Sequence, residues 1–389
     1  MRIKKQFILF AIILVIILWL GFLAKEQQKE PEFGFEKDYG LYWYGRNQTS
    51  QKAEPGVLNP YYDPNKPVVI FVHGWTPMQA DTPPTFLFNV TDDEHKIEYN
   101  IDLAEKWLQD GWNIGIYYWH PFADEDEVWD AEDKIWTADS VNKMRWRDAE
   151  GNYHTENMPT QSASKLFYDD YISALEGYNG NEIRLAGHSL GNQMATLLIL
   201  QTLEGIEAGE VASNLLPSRL TLLDPFWSPL SKDYLDGERT GTILRRDILQ
   251  KIIPQGTAVE WIRSSLLTEA SLFGEYTVDL QMQTPYTELA PEFCGPIDQV
   301  CRHDAAWKVY FLSYGDTAPQ ECIAAPGSEI CVGTGRDVPM AQMPTNEILE
   351  LMPLPYGWIQ VRGPDEEDGR VTPQTNDDWF TRIEIEKDE

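Results

Sequence analysis

Apolar and polar positions along the chain alternate between two regimes. Short continuous apolar runs, bounded by Gly, Pro, Asn or Asp, read as buried strands: Pro67 to Val72 (PVVIFV), Trp112 to Trp119 (WNIGIYYW), Glu182 to Ala186, Leu220 to Leu223 and Ala258 to Ile262. Between them, apolar residues recur at helical spacing over Ile101 to Leu108, Leu166 to Leu175, Leu190 to Leu200 and Ile243 to Ile253, the last stopped by Pro254 and Gly256. Strand and helix in alternation predict an α/β fold, a mostly parallel central sheet with helices on both faces. The acidic segment from Phe122 to Thr160 interrupts this rhythm with Trp129, Trp136 and Trp146 embedded in it. Long insertions of this kind serve as covers over a site or as loops pinned to the body, and both readings fit the tryptophans. Beyond about residue 315 the pattern fades, so 36–315 is expected to be the catalytic body and 316–389 a carboxyl-terminal extension of unassigned role.

The amino terminus follows another rule. Arg2, Lys4 and Lys5 precede an apolar run from Phe7 to Ala24, which is about the length of one bilayer crossing. Residues 1–24 are expected to be an uncleaved signal anchor or a cleaved signal peptide, and 25–35 a charged tether. The basic residues lie before the run, which places the body outside the cytoplasm. Four cysteines agree with that compartment. Cys294 and Cys301 lie close in sequence, as do Cys322 and Cys331, so two local disulfides are the simplest pairing. Neither spacing is that of a zinc site, and no metal or cofactor is expected. Asn47-Gln48-Thr49 and Asn89-Val90-Thr91 match the glycosylation sequon. A net charge of -31 excludes nucleic acid as a partner, since two polyanions repel.

The candidate chemistry centres on Gly187-His188-Ser189-Leu190-Gly191. The run follows an apolar strand and opens an apolar helix. This is the setting of a nucleophile elbow, in which a strained turn lifts a serine hydroxyl off the sheet edge. A serine hydroxyl needs a base, and in an α/β-hydrolase fold the order along the chain is Ser, acid, His. His303 is the one histidine after Ser189; His73, His95, His120 and His154 precede the elbow and His188 lies inside it. Asp224 ends the strand Leu220-Thr221-Leu222-Leu223 and is followed by Pro225, so it projects where active sites of open α/β sheets sit. Asp233, Asp236 and Asp279 are weaker rivals. For the oxyanion, the expected donors are the backbone N–H groups of Leu190 and of Trp75, in the turn after Val68 to Val72.

Together these segments resemble the pancreatic and lipoprotein lipase family, across roughly residues 66–312. Val72-His73-Gly74-Trp75-Thr76 is similar to that family's oxyanion strand-turn, Gly187 to Gly191 to its elbow, Leu222-Leu223-Asp224-Pro225 to its acid motif, and Cys301-Arg302-His303 to its Cys-x-His segment. The resemblance implies hydrolysis of lipid esters through an acyl-enzyme on Ser189. Two departures are visible. Cys294 and Cys301 enclose only Gly-Pro-Ile-Asp-Gln-Val, too short for a large amphipathic lid, and the family's carboxyl-terminal β-sandwich is not evident after residue 315. The expected activity is therefore a lipase, with phospholipase or short-chain esterase as alternatives within the enzyme class, and a catalytically silent lipase-like binding protein as the reading from another class.

Overall fold

The computed structural model describes residues 37–79, 82–92, 97–268, 278–291, 293–294, 297–315, 318–324, 331–354, 356–361 and 379–385. The expected membrane segment at 7–24 and the tether at 25–35 lie outside them. Among the described residues no helix is long and apolar enough to cross a membrane.

The strands are β1 Gly40–Tyr44, β2 Ser50–Lys52, β3 Val68–Val72, β4 Leu87–Asp92, β5 Ile97–Asp102, β6 Asn113–Tyr118, β7 Trp146–Arg147, β8 Tyr153–His154, β9 Ile183–His188, β10 Arg219–Leu223, β11 Ala258–Arg263, β12 Tyr286–Glu288, β13 Gln320–Ala324, β14 Cys331–Asp337, β15 Tyr356–Val361 and β16 Trp379–Glu384. The helices are α1 Glu105–Gln109, α2 His120–Ala123, α3 Val128–Trp136, α4 Ala163–Ala174, α5 Gly191–Glu207, α6 Thr240–Asp247, α7 Val278–Gln281, α8 Gln299–Ser313 and α9 Thr345–Leu351. A 12-stranded sheet runs β14-β13-β16-β15-β12-β11-β10-β9-β3-β6-β1-β2. Its centre, from β6 across to β15, is parallel, as the alternation of elements predicts.

Strand β3 shows why the layers form. Every residue of its VVIFV run is buried. Val68, Ile70 and Val72 join a core with residues of α3, α4, α5 and α6, whereas Val69 and Phe71 join a second core with Trp107 of α1 and Trp307 and Phe311 of α8. Side chains alternate across a strand, so an apolar residue at every position requires cover on both faces. Register then sets the site. Val72 lies opposite Gly187 and Leu223 opposite both His188 and Ile262, which brings the carboxyl ends of β3, β9, β10 and β11 level.

Three expectations need correction. The expected extension of unassigned role at 316–389 is, over its described residues, part of the central sheet: β13 to β16 continue it beyond β12, and the segment between β14 and α9 is tied into the core. Arg219, buried in a two-pronged pair with Glu260, also donates to the carbonyls of Met343 at 2.6 Å and Met340 at 2.9 Å. Severing that segment would strand a buried guanidinium with two of its hydrogen-bond acceptors gone. The helix expected over Ile101 to Leu108 is confined to α1. Ile101 belongs instead to β5, where Ile97, Tyr99 and Ile101 alternate with Glu98, Asn100 and Asp102 in a hairpin with β4. Finally, the helix expected from Ile243 to Ile253 breaks up. After α6 the backbone continues as one wide π turn over Ile248–Ile252 and a 3₁₀ turn over Ile253–Gln255, ended by left-handed Gly256. Both expected disulfides are present, Cys294–Cys301 and Cys322–Cys331. Such bonds persist in oxidising compartments and place this body outside the cytoplasm.

Candidate active site

Ser189 sits in the turn between β9 and α5 with φ at 55°, a left-handed conformation that costs a non-glycine residue free energy. Neighbouring bonds hold it there. Ser189 N–H donates to the carbonyl of Leu223 at 3.0 Å, and the Asn192 amide donates to the carbonyls of Ser189 and Leu223, both at 3.0 Å. Asn192 Oδ1 in turn accepts from Leu223 N–H, so one buried amide couples the elbow to the strand that ends at Asp224. The elbow is also pressed against β3. A Cβ on Gly191 would stand 2.1 Å from the carbonyl oxygen of Val72, and one on Gly74 would stand 2.5 Å from Ser189 Cβ. Glycine at both positions is what lets the oxyanion turn and the elbow touch.

Asp224, fully buried, follows β10 with φ at 41°. Its Oδ2 accepts from His303 Nδ1 at 2.6 Å and from the Ser265 hydroxyl, and its Oδ1 accepts from Ser264 N–H and Thr268 Oγ1. Burial works to raise the Asp224 carboxyl, but the hydrogen bond and charge of His303 and the Ser265 hydroxyl outweigh it and hold the group below the usual carboxylate value. Burial likewise pulls His303 down. The hydrogen bond to Asp224, that carboxylate's charge and Asp304 overcome it and lift the imidazole above the ordinary histidine value. His303 lies in the second turn of α8, whose first turn is fixed by the Asp298 side chain capping Cys301 N–H and by the Cys294–Cys301 disulfide. From the other side, His188 Nε2 donates to the His303 carbonyl at 3.0 Å with the rings 4.4 Å apart. The rivals are engaged elsewhere: Asp279 pairs with Arg245, and Asp233 and Asp236 belong to a surface 3₁₀ turn.

Ser189 and His303 line one cavity of about 640 Å³. Its wall is mostly apolar, formed by Phe71, Leu87, Trp129, Phe226, Leu267 and Trp307. His73, Gly74 and Trp75 form the side next to the serine. Among the described residues, the backbone N–H groups of Trp75 and Leu190 have no protein acceptor, and Leu190 caps the start of α5. Two such N–H groups beside a serine can receive a developing negative charge.

The insertion at 122–160 is pinned to the body. Within the insertion, Glu125, buried, pairs with Lys134 and Arg145, and Arg147 pairs with Asp124 at 2.8 Å and Asp126 at 2.7 Å. Glu132, also buried, accepts from Gln193 of α5 at 2.7 Å and pairs with Lys232 at 2.8 Å. Trp136 donates to Gln193 Oε1 and so anchors the loop, Trp146 stacks on His154 within the loop itself, and Trp129 belongs to the cavity wall. Sequence reading missed Asn192, Gln193, Ser265 and Thr268. The available signal for the first two was a pair of amides opening an otherwise apolar helix. Among the described residues no cluster of His, Cys, Asp or Glu could hold a metal ion.

No protein-family model matches the chain, and no curated protein sequence matches it. Solved structures with partial likeness include a poly(3-hydroxybutyrate) depolymerase from Bordetella parapertussis, at 16% identity over 55% of this chain and 61% of that one, with a TM-score of 0.26. A Thermus thermophilus protein matches at 12% identity over 52% of this chain and 69% of its own, with a TM-score of 0.25. A Butyrivibrio proteoclasticus protein solved with ferulic acid bound matches at 12% identity over 52% and 71%, with a TM-score of 0.22. At such TM-scores none of them bears on what this chain does. The strained serine turn follows a central parallel strand, Asp224 follows the next strand of the sheet, and His303 comes from a later helix, an order set by this chain's own topology.

Proposed function

We propose that the protein is an extracytoplasmic serine hydrolase of carboxylic esters, acting on lipid esters through an acyl-enzyme on Ser189, with the apolar run at 7–24 as its membrane tether. The observation that carries this reading is the His303–Asp224 hydrogen bond, with His303 and Ser189 lining one cavity. Because Nδ1 of His303 is committed to Asp224, Nε2 is the nitrogen left to take the serine proton. Ser189 Oγ then attacks the ester carbonyl, and the oxygen that becomes negative is received by the Trp75 and Leu190 N–H groups. His303 returns the proton to the departing alcohol, and water attacks the acyl-enzyme by the same route in reverse.

An apolar cavity of this volume accommodates an acyl chain. Lys308 in its lining offsets Asp304, so Glu127, together with the net charge of -31, favours neutral lipid esters over anionic phospholipids. The test is hydrolysis of an acyl-chain series with triacylglycerol and phospholipid side by side, combined with an alkyl fluorophosphonate. Labelling of Ser189 with preference for medium or long neutral esters is the expected result. Turnover restricted to short soluble esters would make it an esterase, and headgroup-dependent turnover a phospholipase. Absence of both labelling and turnover in the folded protein would leave the silent binding protein.

The pH profile follows from the raised His303. The base works unprotonated, so kcat/KM should fall on acidification through a midpoint above 6.5, the ordinary histidine value. A midpoint below that value would remove His303, as Asp224 holds it, from the role of base.

A further inference from the structure

We propose that His73 is a positioning residue of the oxyanion site: its ring clamps the Gly74–Trp75 peptide so that the Trp75 N–H is aimed at the carbonyl oxygen that becomes negative when Ser189 attacks. The inference rests on Trp75 N–H being an oxyanion donor, as proposed above. His73 Nδ1 lies 2.9 Å from the carbonyl oxygen of Gly74, and Trp119 N–H lies 3.1 Å from His73 Nε2. A carbonyl only accepts and a backbone amide only donates, so both contacts are satisfied by one neutral tautomer, with the proton on Nδ1. The ring is buried, which pushes its pKa down to about 4 and keeps that tautomer in place at neutral pH.

The Gly74 carbonyl and the Trp75 N–H belong to one peptide plane. The chain has no cis bonds among the described residues, so in this plane C=O and N–H point in opposite directions. Fixing the carbonyl on the imidazole therefore fixes the N–H on the far side. The flanking groups are fixed as well. The Trp119 indole donates to the His73 carbonyl at 2.7 Å, holding the preceding peptide, and the Trp75 indole donates to the Glu125 carbonyl at 2.7 Å, holding the residue that carries the donor. That this plane stands at the reacting centre follows from the closeness of Gly74 to Ser189, where even a methyl group would collide with the serine side chain. A donor prepared in this way needs no reorganisation when charge develops. The histidine is then neither a proton carrier nor a substrate contact; it acts through the peptide it holds.

Two variants of the full chain separate positioning from mere support. In His73→Asn the side-chain amide occupies the place of Nδ1 and can still donate to Gly74. In His73→Gln the amide reaches the place of Nε2, can still accept from Trp119 and leaves the Gly74 carbonyl free. With a soluble chromogenic ester, His73→Gln should lose about 10²-fold in kcat with KM within about threefold, and bind a trifluoromethyl ketone, which forms a tetrahedral adduct, weaker by the same factor. His73→Asn should keep kcat within about tenfold of the parent. Equal losses in both variants, or a His73→Gln that keeps its kcat, would overturn the proposal. Fluorophosphonate labelling of Ser189 in the parent chain keeps the two readings apart: if the parent is labelled and only His73→Gln loses turnover, the clamp on Gly74 is what was lost; if the parent is not labelled, the hydrolase reading itself falls. Thermal midpoints of both variants, measured alongside, show that the comparison is between folded proteins.

Discussion

Under the proposed mechanism Ser189→Ala should abolish nearly all ester turnover, by on the order of 10⁶-fold in kcat, because nucleophile and base act as a unit and neither helps without the other. The fold should survive. Alanine removes only a hydroxyl at the cavity, and the bonds that shape the elbow are made by the Ser189 backbone and Asn192. A residual rate above that of water should remain if the Trp75 and Leu190 N–H groups polarise a bound carbonyl as proposed. The measurement is kcat for the purified variant against the parent on the preferred ester, with circular dichroism to establish folding. Parent-like turnover in a folded variant would exclude Ser189 as the nucleophile.

Asp224→Asn is the second large effect, about 10⁴-fold in kcat. Asparagine matches the carboxylate in shape and can keep accepting from Ser264, Ser265 or Thr268. What changes is the partner of His303. An amide nitrogen facing Nδ1 asks that nitrogen to accept, which moves the imidazole proton to Nε2, the position that must be empty to receive the serine proton. The loss should therefore come with a displaced pH profile. Without the carboxylate, burial dominates His303 and its midpoint should drop below that of the parent. A variant with parent-like kcat would return the search for the acid to other carboxylates, although Asp233, Asp236 and Asp279 are held away from His303 in this structure.

The site was more legible than the fold around it, for a physical reason. Ser189 and Asp224 both sit where strongly apolar strands stop, and a buried parallel strand announces its end by an abrupt change to polar or turn residues. His303 could be reached by elimination alone. The local disulfides followed from spacing. The late strands were not legible because they do not carry the same signature. β14, Cys-Val-Gly-Thr-Gly-Arg-Asp, is largely exposed at a sheet edge and has neither a continuous apolar run nor clean alternation. β12 has only Tyr286, Thr287 and Glu288. β5 does alternate, but its Ile101 also fits a helical spacing with residues that follow, and the wrong period was read across the boundary. The partners of His73 were illegible in a different way. A histidine before a glycine says nothing about which backbone groups its two nitrogens will meet, because Trp119 reaches it only through the pairing of β3 with β6.

The order in which the chain emerges during synthesis gives the carboxyl-terminal strands another meaning. By residue 303 every group of the proposed catalytic machinery has been made, yet β12 gains its second neighbour only when β15 at 356–361 appears, and β15 in turn pairs with β16 at 379–384. Until then a parallel sheet stands with an open edge, and the Arg219–Glu260 pair lacks the Met340 and Met343 carbonyls that complete it. Such an edge is a template for pairing with other chains. Non-local strand pairing is also slow to form. The last strands thus move the edge of the sheet from β12, which is mostly buried, to the largely exposed β14, and they complete the surroundings of the Arg219–Glu260 pair.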